Sequence, residues 1–79
     1  MIKADDLTQR IQTHFPDAVV QLKDLTGTED HWEAEIVSEA FAGLPLIKRH
    51  RLVYTALKTE LQGPIHAFTM TTLTPAEVA

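Results

Sequence analysis

The sequence predicts an α+β domain in which helices cover one face of a small three-stranded mixed sheet. Its 79 residues, 44% of them hydrophobic, suffice for one domain with one core. Apolar residues recur at helical spacing near the start of the chain and again within residues 45–61, whereas three other segments have the patterns of strands. The predicted order is α-β-β-α-α-β, and we treat residues 1–79 as a single domain.

The first element is predicted to be a short amphipathic helix. Leu7, Ile11 and Phe15 recur every four residues, so they share one helical face. Pro16 follows directly, and proline stops a helix. We expect the apolar face of this helix to pack on the sheet.

Two strands joined by a polar hairpin loop come next. Residues 18–23 mix β-branched with alternating residues, and residues 32–37 alternate apolar with acidic side chains around the loop at 26–30. Because side chains alternate along a strand, the apolar residues of the second strand should face the core and its two glutamates the solvent. The apolar set is Trp32, Ala34 and Ile36.

A helical turn and a longer helix are predicted in the middle of the chain. Ser38 is a suitable cap for a turn ending near Phe41, and Gly43 separates that turn from a helix over 45–61. His50 falls at the edge of the apolar stripe of this helix, which suggests a partly buried structural histidine. The stripe consists of Leu46, Val53, Leu57 and Leu61.

The chain closes with a third strand and a helix start. The strand is predicted over 65–72, and a connection through a helix should leave it parallel to the second strand. Thr74, Pro75 and Glu77 provide the cap, the first-turn proline and the acidic third residue of a helix. Because few residues follow, we expect this helix to be truncated or frayed after Thr74.

Charge is distributed unevenly along the chain. Residues 1–39 carry three cations and nine acids, whereas residues 40–59 carry four cations and no acid. The cations of this basic segment are Lys48, Arg49, Arg51 and Lys58. They are candidates for contact with a nucleic acid or an acidic protein, although a solvated helix face is the commoner meaning of such a pattern.

Several function classes are excluded by composition. No cysteine is present, so the chain by itself has neither disulfides nor thiolate metal ligands. The three glycines are too dispersed for a phosphate-binding loop, and no serine or threonine has an activating context, so we do not expect an enzyme. There is no long apolar segment and no leader pattern, so we expect a cytoplasmic protein without a membrane contact.

Histidines are the candidate metal ligands. His31 opens the second predicted strand and His66 opens the third, so parallel strands would bring both to the same end of the sheet. Imidazole suits transition metals, but two ligands do not complete a metal site, and a partner would have to supply the others. The alternative is that the two histidines are independent and that each is either exposed or hydrogen-bonded to its own partner.

Four motifs, in order and spacing, resemble the BolA family over nearly the whole chain. They are VSEAFAG at 37–43, RHRLVY at 49–54, IHAF at 65–68 and TPAE at 74–77. The resemblance implies a KH-like fold of type II topology, which agrees with the element order predicted from the residues.

The resemblance also implies a partner and a cofactor. BolA-like proteins bind monothiol glutaredoxins and share a 2Fe-2S cluster with the glutaredoxin and glutathione. The family's characteristic ligand is the histidine of the Ile-His-Ala motif, here His66. A second ligand comes from the hairpin loop, where His31 is the only histidine. The isolated chain is then expected to hold no cofactor, and to be a monomer or a weak homodimer.

Two other functions stay open. Some BolA-like proteins are described as transcriptional regulators, so the basic helix could bind DNA. KH domains clamp the nucleic-acid backbone with a GxxG loop, and the nearest segment here, residues 43–46, lacks the second glycine. The third possibility is an adaptor that holds no cluster and controls another protein only by being bound to it.

Overall fold

The computed structural model describes residues 1–63, 65 and 67–78. Its elements follow the predicted order and include the short final helix whose start is predicted at Thr74 and Pro75. They are α1 (Ala4–His14), β1 (Val19–Asp24), β2 (His31–Val37), a 3₁₀ helix (Glu39–Phe41), α2 (Leu46–Ala56), α3 (Lys58–Gln62), β3 (Ala67–Leu73) and α4 (Pro75–Val78).

The three strands form one mixed sheet in the order β1-β2-β3. β1 pairs antiparallel with β2 through the hairpin, and β3 pairs parallel with β2, as predicted. Parallel pairing requires a long crossover, which α2 and α3 provide. In the parallel register, His31 lies opposite Ala67 and Val37 opposite Leu73.

One face of the sheet forms the core. Trp32, Ala34 and Ile36 are at most 3% exposed, whereas Glu33 and Glu35 point to the opposite, polar face. The helices cover the apolar face with fully buried side chains, namely Leu7, Ile11, Val53 and Leu57. The predicted alternation of β2 and the predicted helical layer are therefore confirmed.

The helix predicted over 45–61 is in fact two helices. α2 ends at Ala56 and α3 begins at Lys58, with Leu57 between them at φ −103° and ψ 19°. No glycine or proline marks the break in the sequence. Leu57 is fully buried in the core, so tertiary packing rather than local propensity accounts for a bend at this position.

Leu46 corrects the predicted apolar stripe. It is 61% exposed, whereas Val53 and Leu57 are fully buried and Leu61 packs partly against the core. Leu46 is the first residue of α2, and its side chain is not part of the buried core. Side-chain spacing gives the direction of a residue on a helix but not whether a neighbour reaches it, so the prediction for Leu46 was wrong.

Two predicted caps are confirmed. Ser38 Oγ accepts a hydrogen bond from the Ala40 amide at 3.1 Å. Thr74 and Glu77 form a reciprocal capping box: the Thr74 amide donates to Glu77 Oε1 at 2.8 Å, and the Glu77 amide donates to Thr74 Oγ1 at 3.3 Å. Both caps follow from local sequence, which is why they could be predicted.

The third strand begins two residues later than predicted and ends one residue later. Ile65 lies before the strand, is buried in the core, and donates its amide hydrogen to Glu60 O at 2.9 Å. β3 itself starts at Ala67. In the part of the chain that the structure describes, no helix is long and apolar enough to cross a membrane.

Candidate functional site

The hairpin loop between β1 and β2 is organised by one carboxylate. Asp24 Oδ1 accepts the amide hydrogens of Thr26 and Gly27 at 3.4 and 3.0 Å, and Oδ2 accepts that of Glu29 at 3.0 Å. Gly27 and Glu29 have left-handed backbones, with φ of 77° and 59°. An aspartate that bonds amides two to five residues ahead fixes the loop in a turn, so its far end has a defined position.

His31 stands at that far end, where β2 begins. Its Nδ1 lies 2.8 Å from Asp30 Oδ1, and its side chain is 32% exposed. The same Asp30 oxygen accepts a hydrogen bond from Thr28 Oγ1. Histidines that bind metals typically donate their second ring N–H to a carboxylate, which sets the tautomer and orients the ring. Asp30 therefore positions His31 as a potential ligand.

The loop end and the start of β3 meet at this point. Ala67 is the register partner of His31, and its amide donates to Asp30 O at 3.1 Å. His66, the predicted primary ligand, precedes Ala67 in the sequence and lies outside the described residues. What the structure brings together is thus the loop histidine and the residue that follows His66 in the chain.

The described residues do not complete a metal site by themselves. Among residues 1–63, 65 and 67–78, no group of three or more His, Asp or Glu side chains is arranged to hold a metal ion. The chain has no cysteine, so any thiolate must come from elsewhere. Two histidines are a known replacement for two cysteines on one iron of a 2Fe-2S cluster. His31 and His66 would hold such a group only together with ligands from a partner.

Sequence reasoning missed the two aspartates of this loop. In the sequence, Asp24 and Asp30 are two of the nine acidic residues of segment 1–39. Asp24 stands before the Leu-Thr-Gly of the turn, a pattern that is typical of an aspartate-stabilised turn. For Asp30, adjacency to His31 was visible in the sequence, but the direction of its carboxylate was not.

The four predicted cations occupy two different environments. Lys48, Arg51 and Lys58 are exposed. Arg49 is 13% exposed, and its guanidinium reaches three parts of the domain: Nε donates to Leu44 O at 2.8 Å, and Nη1 donates to Thr72 O at 3.2 Å and to Glu77 Oε1 at 2.6 Å. Arg49 thus joins α2 to β3 and α4, and its charge is compensated inside the fold.

The Arg49 contact also changes the acidity of its partner. The hydrogen bonds from Arg49, together with the Thr74 amide, lower the pKa of Glu77 from 4.5 to about 2. A separate link joins the loop before β1 to the 3₁₀ helix: Ser38 Oγ donates to Asp17 Oδ1 at 2.7 Å. That bond, with the Glu39 amide, lowers the pKa of Asp17.

The remaining two histidines, His14 and His50, lie on helices and are distant from this loop in the sequence. His14 is exposed in the last turn of α1. His50 is half-buried on α2, as predicted, and its Nε2 is buried with no hydrogen-bond partner among the residues described. Within the described ranges, neither belongs to a group of three or more side chains that could hold a metal ion.

Known proteins share the sequence pattern of this chain. The sequence model of the BolA-like protein family matches residues 5–77. The uncharacterized protein RP812 of Rickettsia prowazekii is 36% identical over 72 residues, which cover 91% of this chain and 94% of that protein. Other relatives are much longer: the matching segment is 14% of the SufE-like protein 1 of Arabidopsis thaliana and 38% of bovine BolA-like protein 1.

Solved structures agree in fold over almost the whole chain. BolA1 from Arabidopsis thaliana superposes with a TM-score of 0.84 at 32% identity, covering 98% of this chain and 96% of that one. Yeast Fra2 gives a TM-score of 0.80 at 31% identity, covering 99% and 85%. With a family match over residues 5–77 and the same fold in these relatives, the chain belongs to the BolA-like protein family.

Proposed function

We propose that this protein is a partner of monothiol glutaredoxins and shares a 2Fe-2S cluster with them, with His66 and His31 as iron ligands. The observation that carries the proposal is the parallel register, in which His31 lies opposite Ala67, the residue after His66. Family membership supports the kind of partner, and the loop geometry supports His31 as the second ligand.

In this proposal the chain binds the partner and orients its own histidine ligands. The Asp30 carboxylate, 2.8 Å from Nδ1 of His31, would favour the tautomer with the proton on that nitrogen, in which Nε2 is the atom that would bind iron. Asp24 keeps the loop folded so that His31 needs little reorganisation on binding. When bound, a cluster with histidine ligands has a higher reduction potential than an all-thiolate one. The role is then iron–sulfur cluster trafficking or iron and redox regulation, without catalysis.

Binding should be sensitive to acid. Iron binds the unprotonated ring nitrogen of a histidine, so protons compete with iron for it. We therefore expect acidification to weaken the shared complex.

Co-purification tests partner and cofactor together. The tagged protein is expressed with a monothiol glutaredoxin, and the purified complex is analysed for iron and sulfide. We expect a stable pair that contains both, and the His14→Ala variant should behave in the same way because His14 is exposed on α1. A complex without iron would support the cluster-free adaptor, and absence of any complex would overturn the proposal.

Nucleic-acid binding through residues 45–61 is the weaker alternative. Three exposed cations favour it, namely Lys48, Arg51 and Lys58. The charge of Arg49, however, is paired with Glu77, and the exposed residues of the same helix include Leu46, Ile47 and Tyr54. Phosphate recognition uses cations and polar groups, so this apolar content points to a different occupant.

A further inference from the structure

The outward side of α2 is unusually apolar for an exposed helix face. Leu46, Ile47 and Tyr54 are 61%, 67% and 46% exposed. Together with Arg51 and Lys58 they line a groove of about 700 Å³. Large apolar side chains that are clustered on a surface often mark a site of interaction with another molecule.

A second groove adjoins the first along the same helix. It has a volume of about 340 Å³ and is lined by Leu44, Leu52 and Lys48. Arg51 and Thr55, one helical turn apart, line both grooves and so form the ridge between them. We call this surface, formed by the two grooves and their ridge, the α2 outer face.

The α2 outer face carries positive charge that no carboxylate of the described residues pairs with. Residues 40–59 contain no acidic side chain. Within the described part of the chain, the ion pairs made by arginine and lysine side chains join Arg10 to Glu60 and Arg49 to Glu77. Lys48, Arg51 and Lys58 are in none of them. A ligand with negative charge flanking an apolar surface would therefore be complementary to this face.

We infer that the α2 outer face binds an acidic amphipathic helix of a partner protein. An apolar helix face laid in a groove is a recurrent recognition mode, in which anchors recur at helical spacing. Tyr54 and Arg51 are of the residue types that contribute most to such interfaces. Along α2 the face runs from Leu46 to Thr55, roughly 14 Å, which matches two to three turns of a bound helix, and Lys58 adds a cation at the start of α3. The inference uses neither His31 nor His66 and is independent of the cluster.

Three other occupants fit less well. A second copy of the chain placed symmetrically would bring together two faces that both carry cations, and residues 40–59 of neither copy contain an acid to pair with them. A nucleic acid would pair with the cations but leave Leu46 and Ile47 without an apolar partner. A membrane presents a flat surface, whereas this face has two separate grooves.

Selection from a random library tests the inference without assuming a partner. Displayed peptides of about 14 residues are selected on the wild-type protein after counter-selection on the Ile47→Glu, Tyr54→Glu double variant. We expect enriched sequences with apolar residues at spacings of three and four and with glutamate or aspartate on the flanks. Circular dichroism and thermal unfolding verify that the double variant folds, and the Tyr54→Ala variant is a milder substitute if it does not.

The best enriched peptide is then measured by fluorescence anisotropy. Arg51→Glu and Lys58→Glu should each raise its Kd about fivefold or more, and raising NaCl from about 0.05 to about 0.5 M should also weaken binding. Lys23→Glu, which changes an exposed cation on β1, should leave Kd unchanged.

Several results would overturn the inference. No enrichment over the counter-selected variant, or enrichment of basic peptides, contradicts it directly. Single-stranded DNA and vesicles containing anionic lipid are measured in parallel. If either binds through Ile47 and Tyr54 while no acidic peptide does, the occupant of this face is a nucleic acid or a membrane and the inference is wrong.

Discussion

Arg49 and Glu77 form a two-point ion pair between α2 and α4, with Nη1 2.6 Å from Oε1 and Nη2 3.3 Å from Oε2. The two residues are 28 positions apart in the sequence. The guanidinium also bonds the carbonyl oxygens of Leu44 and Thr72, and the carboxylate also caps α4 through the Thr74 amide. This pair is therefore the junction at which the crossover helix, the last strand and the final turn meet.

Removing the arginine should loosen that junction. We expect Arg49→Ala to lower the Tm by about 5 °C or more, because two carbonyl groups and a carboxylate lose a charged donor. Arg49→Lys should recover only part of the loss, since an ammonium cannot make the same planar contacts. Thermal unfolding followed by circular dichroism measures both. Lys48→Ala is the control, and an equal loss there would mean that the junction has no special role.

The same pair predicts a specific acid sensitivity. The pKa of Glu77 is lowered from 4.5 to about 2 in the folded protein, so its ionised form is favoured by folding. The resulting stability is fully present above pH 4.5 and is lost as the pH falls toward 2. Glu77→Gln removes this contribution. The Tm difference between wild type and Glu77→Gln should therefore shrink over that range, whereas a constant difference would contradict the prediction.

Thr72→Val should not destabilise the protein. Thr72 is 2% exposed and its Oγ1 is buried without a hydrogen-bond partner in the described ranges. Valine keeps the shape and removes the unsatisfied hydroxyl, so we expect a gain of up to about 1 kcal/mol in the free energy of unfolding. Urea denaturation measures it. Thr71→Val, on the exposed face of the same strand, should give no such gain, and a loss of stability in Thr72→Val would show that the hydroxyl is satisfied.

Much of the fold could be predicted because its signals are local. The alternation in β2 determines which face is buried, and Thr74 with Glu77 predicts the start of α4. The break at Leu57 has no such signal, because it depends on what the side chain packs against. Arg49 likewise looked like a surface cation, since nothing near it in the sequence indicates that Glu77 is its partner.

The candidate site likewise contains one residue that could be predicted from the sequence and two that could not. His31 could be predicted from its position at the start of a strand, and the parallel register that places it beside Ala67 follows from the crossover rule. The contributions of Asp24 and Asp30 depend on the path of the loop. They became evident only from the directions of their carboxylates.

Asp30 provides a test of how His31 is positioned. Asp30→Ala removes the carboxylate from Nδ1, so we expect the affinity of the protein for a cluster-loaded glutaredoxin to fall about tenfold. A titration followed by visible absorption measures it. Glu33→Ala removes a nearby exposed acid from β2 and should have little effect. Equal losses in the two variants would assign the effect to net charge rather than to the orientation of the imidazole.

The most direct measurement is the visible circular dichroism of the protein mixed with a cluster-loaded monothiol glutaredoxin. Wild type should change the spectrum on mixing, since replacing a ligand alters the surroundings of the iron. His66→Ala should abolish that change, and His14→Ala should leave it intact. If His66→Ala gives the wild-type spectrum with the same affinity, His66 is not a ligand and the proposed shared cluster is contradicted.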